Sequence, residues 1–212
     1  MKKIALLGSG DFAISVVEII IENGLYEIVG YIDGSKSIGT IINGIPVIGS
    51  DDDVVDLYHK GTFDCIFISV GYTKFRIREK LYYSFKGRVP FANVISPKAI
   101  IHPSAQIGEG VMVSDGSVVH KHAVIEDNVA ITLHSIVNHG SIVKKHTFFS
   151  TRVTTAGNVA VGERCFVGVG VVISDGVKIC DDTWLSPGSV VIKNIKKPGH
   201  YISTAAKLVN IG

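Results

Sequence analysis

The sequence predicts an α/β domain built on a parallel sheet, followed by a parallel β-helix of hexapeptide repeats. Three observations predict it. Residues 1–94 alternate short apolar runs with segments of helical spacing. From Ile95 onward an apolar residue recurs at every sixth position. The composition is rich in Gly (23), Val and Ile and low in Pro (6), which favours strands over helices.

The first half reads element by element. "KKIALLG" is a short buried strand. "GSGDFAISVVEIIIEN" follows with helical periodicity and Gly24 as its stop signal. "YEIVGYID" is a second strand ending in Asp33. "SDDDVVDLYHKG" carries an N-capping Ser50, three acids in its first turn and a terminal glycine, the punctuation of a helix. "FDCIFISVG" is a third strand, residues 74–86 a third helix, and "PFANVIS" a last strand. Strands alternating with helices in this order predict a parallel sheet with helices on its faces.

The second half counts in sixes. From Ile95 to Val191, 16 of 17 register positions are apolar, the exception being Thr155. Four residues after each stands Ala, Val, Ser, Thr or Cys in 16 of 17 cases, only Ile195 being larger. No insertion breaks the register. Period six fits neither a helix nor a meander. It is the signature of a β-helix in which each hexapeptide makes one strand and one corner, and three make a coil of 18 residues. The large residue fills the prism and the small one fits the corner, while backbone hydrogen bonds run along the axis.

Composition narrows the function classes. At 212 residues the chain is one large domain or two small ones, and 46% hydrophobic residues can build a core. A net charge of +2, with one short basic run at 193–197, argues against a nucleic-acid surface. Three cysteines without a CxxC spacing argue against a disulfide framework or a zinc site and fit a reducing, cytoplasmic setting. The opening "MKKIALLGSG" reads as a strand rather than a secretory leader, because its apolar run stops at Gly8. No apolar stretch approaches the length of a membrane span.

Several residues carry chemical interest. His139, third in its hexapeptide between inward Val137 and Ser141, is expected to project from the prism. Gly157, 18 residues on, stacks over it. Gly8-Ser9-Gly10 lacks the third glycine of a full dinucleotide fingerprint but opens a helix, where a phosphate can bind. Asp33 either meets a ribose or caps a turn. Lys74 and Arg76 open the third helix, and Lys193 stands in the basic run.

These motifs resemble the sugar O-acyltransferase family of sialic-acid and nucleotide-sugar acetyltransferases, the NeuD and PglD type. The resemblance covers nearly the whole chain. It is carried by "KKIALLGSG", "VGYID", the junction "FANVISPKAIIHPSAQIGEG", the ungapped stretch "VNHGSIVKKHTFFSTRVTTAGNVAVGERCFVG" and the terminal "YISTAAK". It implies a Rossmann-like nucleotide-sugar-binding domain over 1–94, then a left-handed β-helix acyltransferase domain over 95–212 with an extended tail. It further implies a homotrimer with acetyl-CoA in the groove between subunits and no metal. His139 would be the general base and the Gly157 N–H the oxyanion donor. Gly8, Ser9, Gly10, Asp11, Asp33, Lys74 and Arg76 would meet the nucleotide sugar. Gly157, Val169, Gly188 and Lys193 would meet the CoA. The expected reaction is N-acetylation of a 4-amino-4,6-dideoxy sugar linked to UDP, dTDP or GDP in surface-glycan synthesis, with O-acetylation of a sugar such as sialic acid as the near alternative.

The chain departs from the family pattern at three places. Gly140 stands where a glutamate usually follows the histidine, Phe148 where a second histidine is common, and Asp11 lies within the first turn. Two readings of other classes follow from the sequence. His134 and His139 are five apart, the zinc spacing of β-helical carbonic anhydrases, but Lys98 occupies the neighbourhood of the third ligand. Gly140 and Phe148 also fit a scaffold that kept the fold without the activity.

Overall fold

A computed structural model describes residues 1–71 and 75–203. The chain opens with β1 (Lys2–Leu7), whose last four residues are buried because helices and sheet cover both of its faces. α1 (Asp11–Asn23) starts at Gly10 and stops at Gly24, which takes the left-handed conformation (φ 63°) that closes the helix. β2 (Tyr26–Ile32), β3 (Ile41–Ile42) and β4 (Ile45–Gly49) follow. Ser50 then donates from both N and Oγ to Asp53 Oδ2 at 2.8 Å, a cap that launches a short 3₁₀ turn and α2 (Val54–His59). β5 (Cys65–Ile68) and α3 (Phe75–Phe85) complete the first unit.

The sheet order is β3-β4-β2-β1-β5, parallel except for the β3–β4 hairpin. Two details differ from the sequence reading. β4 inserts beside β2, although Pro46 interrupts its pattern; a strand holding proline survives next to the sheet edge. The expected last strand at 90–96 shrinks to one bridge, Ile66 to Phe91. Its Val94–Ile95, β6, instead pair with Met112–Val113 and begin the second unit.

That second unit is a left-handed parallel β-helix with three flat faces. Face I runs from β6 through Phe148–Phe149 to Gly199–Tyr201. Face II runs from Ile100–Ile101 to Val190–Val191, and face III from Gln106–Ile107 to Lys178–Ile179. The inward residues from Val111 to Val191 form one continuous core, Phe149, Val143 and Val137 among them at 0% exposure. Non-glycine corner residues such as His134, Asn158 and Arg164 hold positive φ at a spacing of six or its multiples. The small inward hydroxyls bond across coils: Ser135 Oγ donates to Ser150 O and Ser141 Oγ to Ala156 O. Buried polar groups are satisfied in this way without breaking the stack.

The first unit docks on face I. α1, β1 and β2 share a core with Met112, Ala130, Phe148 and Phe166. α3 grips the corner between faces III and I. Its fully buried Arg78 donates to Ile68 O, Val70 O and Asn128 O and Oδ1, and burial lowers its pKa to about 10. Tyr82 donates toward Glu109 and Asp127, at 2.8 and 2.7 Å. Face II stays uncovered, and its outward Ile100, Ile136, Val172 and Val190 are exposed.

Candidate active site

Two places concentrate chemistry, and they sit at different corners of the prism. The first is a cavity of about 960 Å³ between the β1–α1 turn and the corner joining faces I and II. Gly8, Ser9, Gly10, Asp11 and Asp33 line it, as the sequence led one to expect. The β-helix closes its far side with Ser114, Thr132, Ser150 and Thr151. Gly8 is required there. Its φ is +98°, and a Cβ would meet Val70 Cγ2 at 2.8 Å. No side chain caps the start of α1, so its first N–H groups are left for a ligand.

Asp33 proves to be a turn cap at the cavity wall. Oδ2 accepts from Ser9 N (3.1 Å) and Ser9 Oγ (2.5 Å), and Oδ1 from Ser35 N and Oγ. Burial alone would raise its pKa, but these hydrogen bonds from Ser35 and Ser9 outweigh burial and hold it below the usual carboxylate range. The cavity also holds residues that sequence reasoning missed, chiefly Lys36, Asp51 and Ser69. Asp51 is held above its ordinary value by burial and by the neighbouring Asp33 and Asp52 carboxylates. Phe148, standing where the family resemblance has a histidine, lines the cavity and packs against Phe12 with ring centroids 5.3 Å apart. Arg76 is not brought to the cavity. It pairs with Glu79 and, at 3.9 Å, with Asp182 on the opposite corner. Lys74 lies outside the described residues.

The second place is the corner between faces II and III, where His139 is half-buried. Asn138 Oδ1 accepts from the His139 backbone N–H at 2.8 Å, which fixes that atom as the amide oxygen. The same oxygen lies 3.0 Å from His139 Nδ1. An oxygen acceptor there requires the proton on Nδ1 and leaves the Nε2 lone pair free. Nε2 points over Gly157. A Cβ on Gly157 would overlap Nε2 and would lie 2.6 Å from Cε1 and 2.9 Å from Asp175 Oδ1, so only glycine fits beneath this ring. The Gly157 N–H has no hydrogen-bond partner among the described residues. Thr155, the one break in the apolar register, is explained here: its Oγ1 accepts from Asn138 N at 3.0 Å. Gly140 holds φ +64°, and a Cβ there would meet Asn158 Oδ1 at 2.5 Å. The backbone at this corner therefore excludes the family's glutamate.

The histidines His102, His120 and His139 form a ladder along this corner, ring centroids 5.9 and 6.2 Å apart. His134 occupies the other corner of face II, where it covers Gly116. The pair read as possible zinc ligands is therefore split between two corners, and no metal-ligand cluster of three is found among the described residues. Of the residues expected to hold CoA, Gly157 and Lys193 share the His139 corner, whereas Val169 and Gly188 lie at the cavity corner. A single chain does not unite the two groups.

Comparison with known proteins places this geometry. Residues 3–85 match the PglD N-terminal domain. Perosamine N-acetyltransferase from Caulobacter crescentus, solved as a histidine-to-asparagine mutant with CoA and GDP-perosamine, is 28% identical, with a TM-score of 0.89 over 100% of this chain and 98% of that one. The acetyltransferase domain of PglB from Neisseria gonorrhoeae, solved with acetyl coenzyme A, is 26% identical, with a TM-score of 0.87 over 98% and 99%. Among curated sequences, UDP-3-O-acylglucosamine N-acyltransferase of Bordetella avium is 43% identical over 56 residues, 26% of this chain but only 16% of that relative's length. With its PglD-type first domain and its end-to-end likeness to these acetyltransferases, the chain belongs to the PglD-like sugar acyltransferase family.

Proposed function

We propose that the protein transfers the acetyl group of acetyl-CoA to the 4-amino group of a nucleotide-linked 4-amino-4,6-dideoxy sugar, in the cytoplasm and as a step of surface-glycan synthesis. The observation that carries this reading is the His139–Gly157 pair: a free Nε2 lone pair directly over an unpartnered backbone N–H. The full-length likeness to solved acetyltransferases that hold CoA and a nucleotide amino sugar supports it.

In this reading the nucleotide sugar lies in the cavity, its diphosphate toward Gly8, Ser9, Gly10 and the start of α1, with Asp11 turned to sugar or base. The neutral amine attacks the thioester carbonyl carbon and a C–N bond forms. The oxyanion is met by the Gly157 N–H. His139 Nε2 takes the proton from the attacking nitrogen. The intermediate collapses, the C–S bond breaks, and the imidazolium returns the proton to the CoA thiolate. Asn138 keeps the ring in the tautomer that this requires.

The separation of the two corners favours a trimer. Three prisms packed with face II toward a common axis would bury the stripe of Ile100, Ile136, Val172 and Val190. Each His139 corner would then meet a neighbour's cavity corner, so that Gly157 and Lys193 of one subunit share a groove with Val169 and Gly188 of the next. Acetyl-CoA would occupy that groove.

The test is thiol release from acetyl-CoA with UDP-, dTDP- and GDP-linked 4-amino-4,6-dideoxy sugars. One acceptor should turn over, and His139→Ala should lower kcat by about 100-fold or more, the scale of general-base catalysis. Unchanged turnover in that variant would remove His139 from the chemistry.

A further inference from the structure

Asp175 has no assigned task, yet its carboxylate is aimed at the reacting corner. It stands one coil beyond Gly157, on the turn 174–177, and is exposed. Its Oδ1 lies 2.9 Å from the point where a Gly157 Cβ would be, and His139 Cε1 lies 2.6 Å from that same point. The carboxylate is therefore about 5 Å from the imidazole edge, a range at which charges couple strongly away from bulk water. The two side chains form no ion pair within 4.0 Å, and the Asp175 carboxylate has no hydrogen bond among the described residues. Two polar groups thus converge on one point from opposite sides without touching each other, and the glycine keeps the point open.

From this convergence we infer that Asp175 is a specificity-determining residue that binds the acceptor's nitrogen as a cation and selects amine over hydroxyl acceptors. The inference rests on the reading of His139 and Gly157 as the reacting corner.

The chemistry discriminates between the acceptors. A 4-amino sugar arrives in neutral water as an ammonium ion, for which a carboxylate is a charge-assisted partner. One proton leaves for solvent by way of His139 before attack. Attack by the neutral amine then makes nitrogen positive again until His139 removes the second proton. Asp175 faces positive charge at both stages. A hydroxyl acceptor brings no cation at either stage. With it, the carboxylate would stand beside the developing oxyanion over the Gly157 N–H and would oppose it. A carboxylate at this place is a disadvantage for O-acetylation and an advantage for N-acetylation.

The experiment compares binding and turnover. UDP-, dTDP- and GDP-linked 4-amino-4,6-dideoxy sugars and their 4-hydroxy counterparts are titrated into the full-length wild type and into Asp175→Asn, and heat is recorded. Acetyl-CoA turnover is followed in parallel. The wild type should bind one amino sugar more tightly than its hydroxy counterpart. Asp175→Asn should reduce that preference roughly ten- to hundredfold, the worth of one charge-assisted contact, and leave the KM for acetyl-CoA unchanged. Asp175→Glu should restore part of it. Preference intact in Asp175→Asn, absent in the wild type, or a rise confined to the acetyl-CoA KM would each overturn the inference. Because the preference is read from binding, it is judged even where turnover is silent. The His139→Ala turnover separately judges the reading on which it rests.

Discussion

Gly157→Ala is the sharpest single test of the reacting corner. The backbone at 157 tolerates a side chain, since its φ is not positive, so any effect comes from contact alone. The new methyl would lie 2.6 Å from His139 Cε1, whereas ordinary contact begins near 3.4 Å. The ring must withdraw by roughly 1 Å, and a misplacement of that size costs on the order of 100-fold in rate. The obstructing atoms are ends of side chains, which can yield, so the fold should hold. The assay is steady-state thiol release with the accepted sugar, beside a thermal melt. The expected result is kcat/KM down about 100-fold with Tm moved by only a few degrees. Activity within about threefold of wild type would refute the argument, because the ring would then not need its position over the glycine.

Two further predictions follow from partners already described. Asn138→Ala removes the oxygen that selects the His139 tautomer; kcat should fall about tenfold with KM for acetyl-CoA unchanged, and the acid limb of the pH–rate profile should shift, which purely structural damage would not produce. The buried His146 should make stability fall with acid. Burial, then the charges of Arg78, Arg164 and Lys145, lower its pKa to about 4. Above the unfolded value of about 6.5 neither state is protonated; below it only the unfolded chain takes up the proton, so stability drops as pH falls toward 4, by roughly 3 kcal/mol in all. Urea unfolding between pH 7 and pH 4 should show that slope in the wild type and lose much of it in His146→Asn; an equal slope in both would sink the assignment.

The second unit was legible almost to the residue, because a period of six held from 95 to 191 is a statement about geometry that no local accident imitates. Even its one flaw, Thr155, pointed to the site, since a hydroxyl at an inward position must bond to something, and here it bonds to Asn138 beside the histidine. His139 and Gly157 were reachable through the 18-residue coil that stacks them. What the sequence concealed was set by contacts between distant segments. Arg76 looks like a ligand residue on a helix, but α3 turns it toward Asp182. Asp33 reads equally well as a ribose contact or a cap until Ser9, 24 positions away, is seen to occupy its oxygen. Asp175 lies 36 positions from His139, two coils away, and only the missing Cβ of the glycine between them brings the two to one point. Strand β4 was missed because Pro46 argues locally against what β2 supports.

The unbroken register has a metrical consequence. Each coil adds one strand spacing of about 4.8 Å along the axis, so the corner carrying His139, Gly157, Asp175 and Lys193 is a ruler with evenly spaced graduations. Lys193 stands three graduations from His139, roughly 14 Å along the axis. If the lysine holds the phosphate end of the donor, the number of coils between them sets how long an arm can lie along the corner with its thioester at the base. A deletion of 18 residues between Gly157 and Lys193 would shorten the ruler by one graduation without changing any face, and would ask for a shorter arm. An insertion of one or two residues would instead rotate every later position off its edge. The donor length accepted at this site is thus counted in whole turns of the prism.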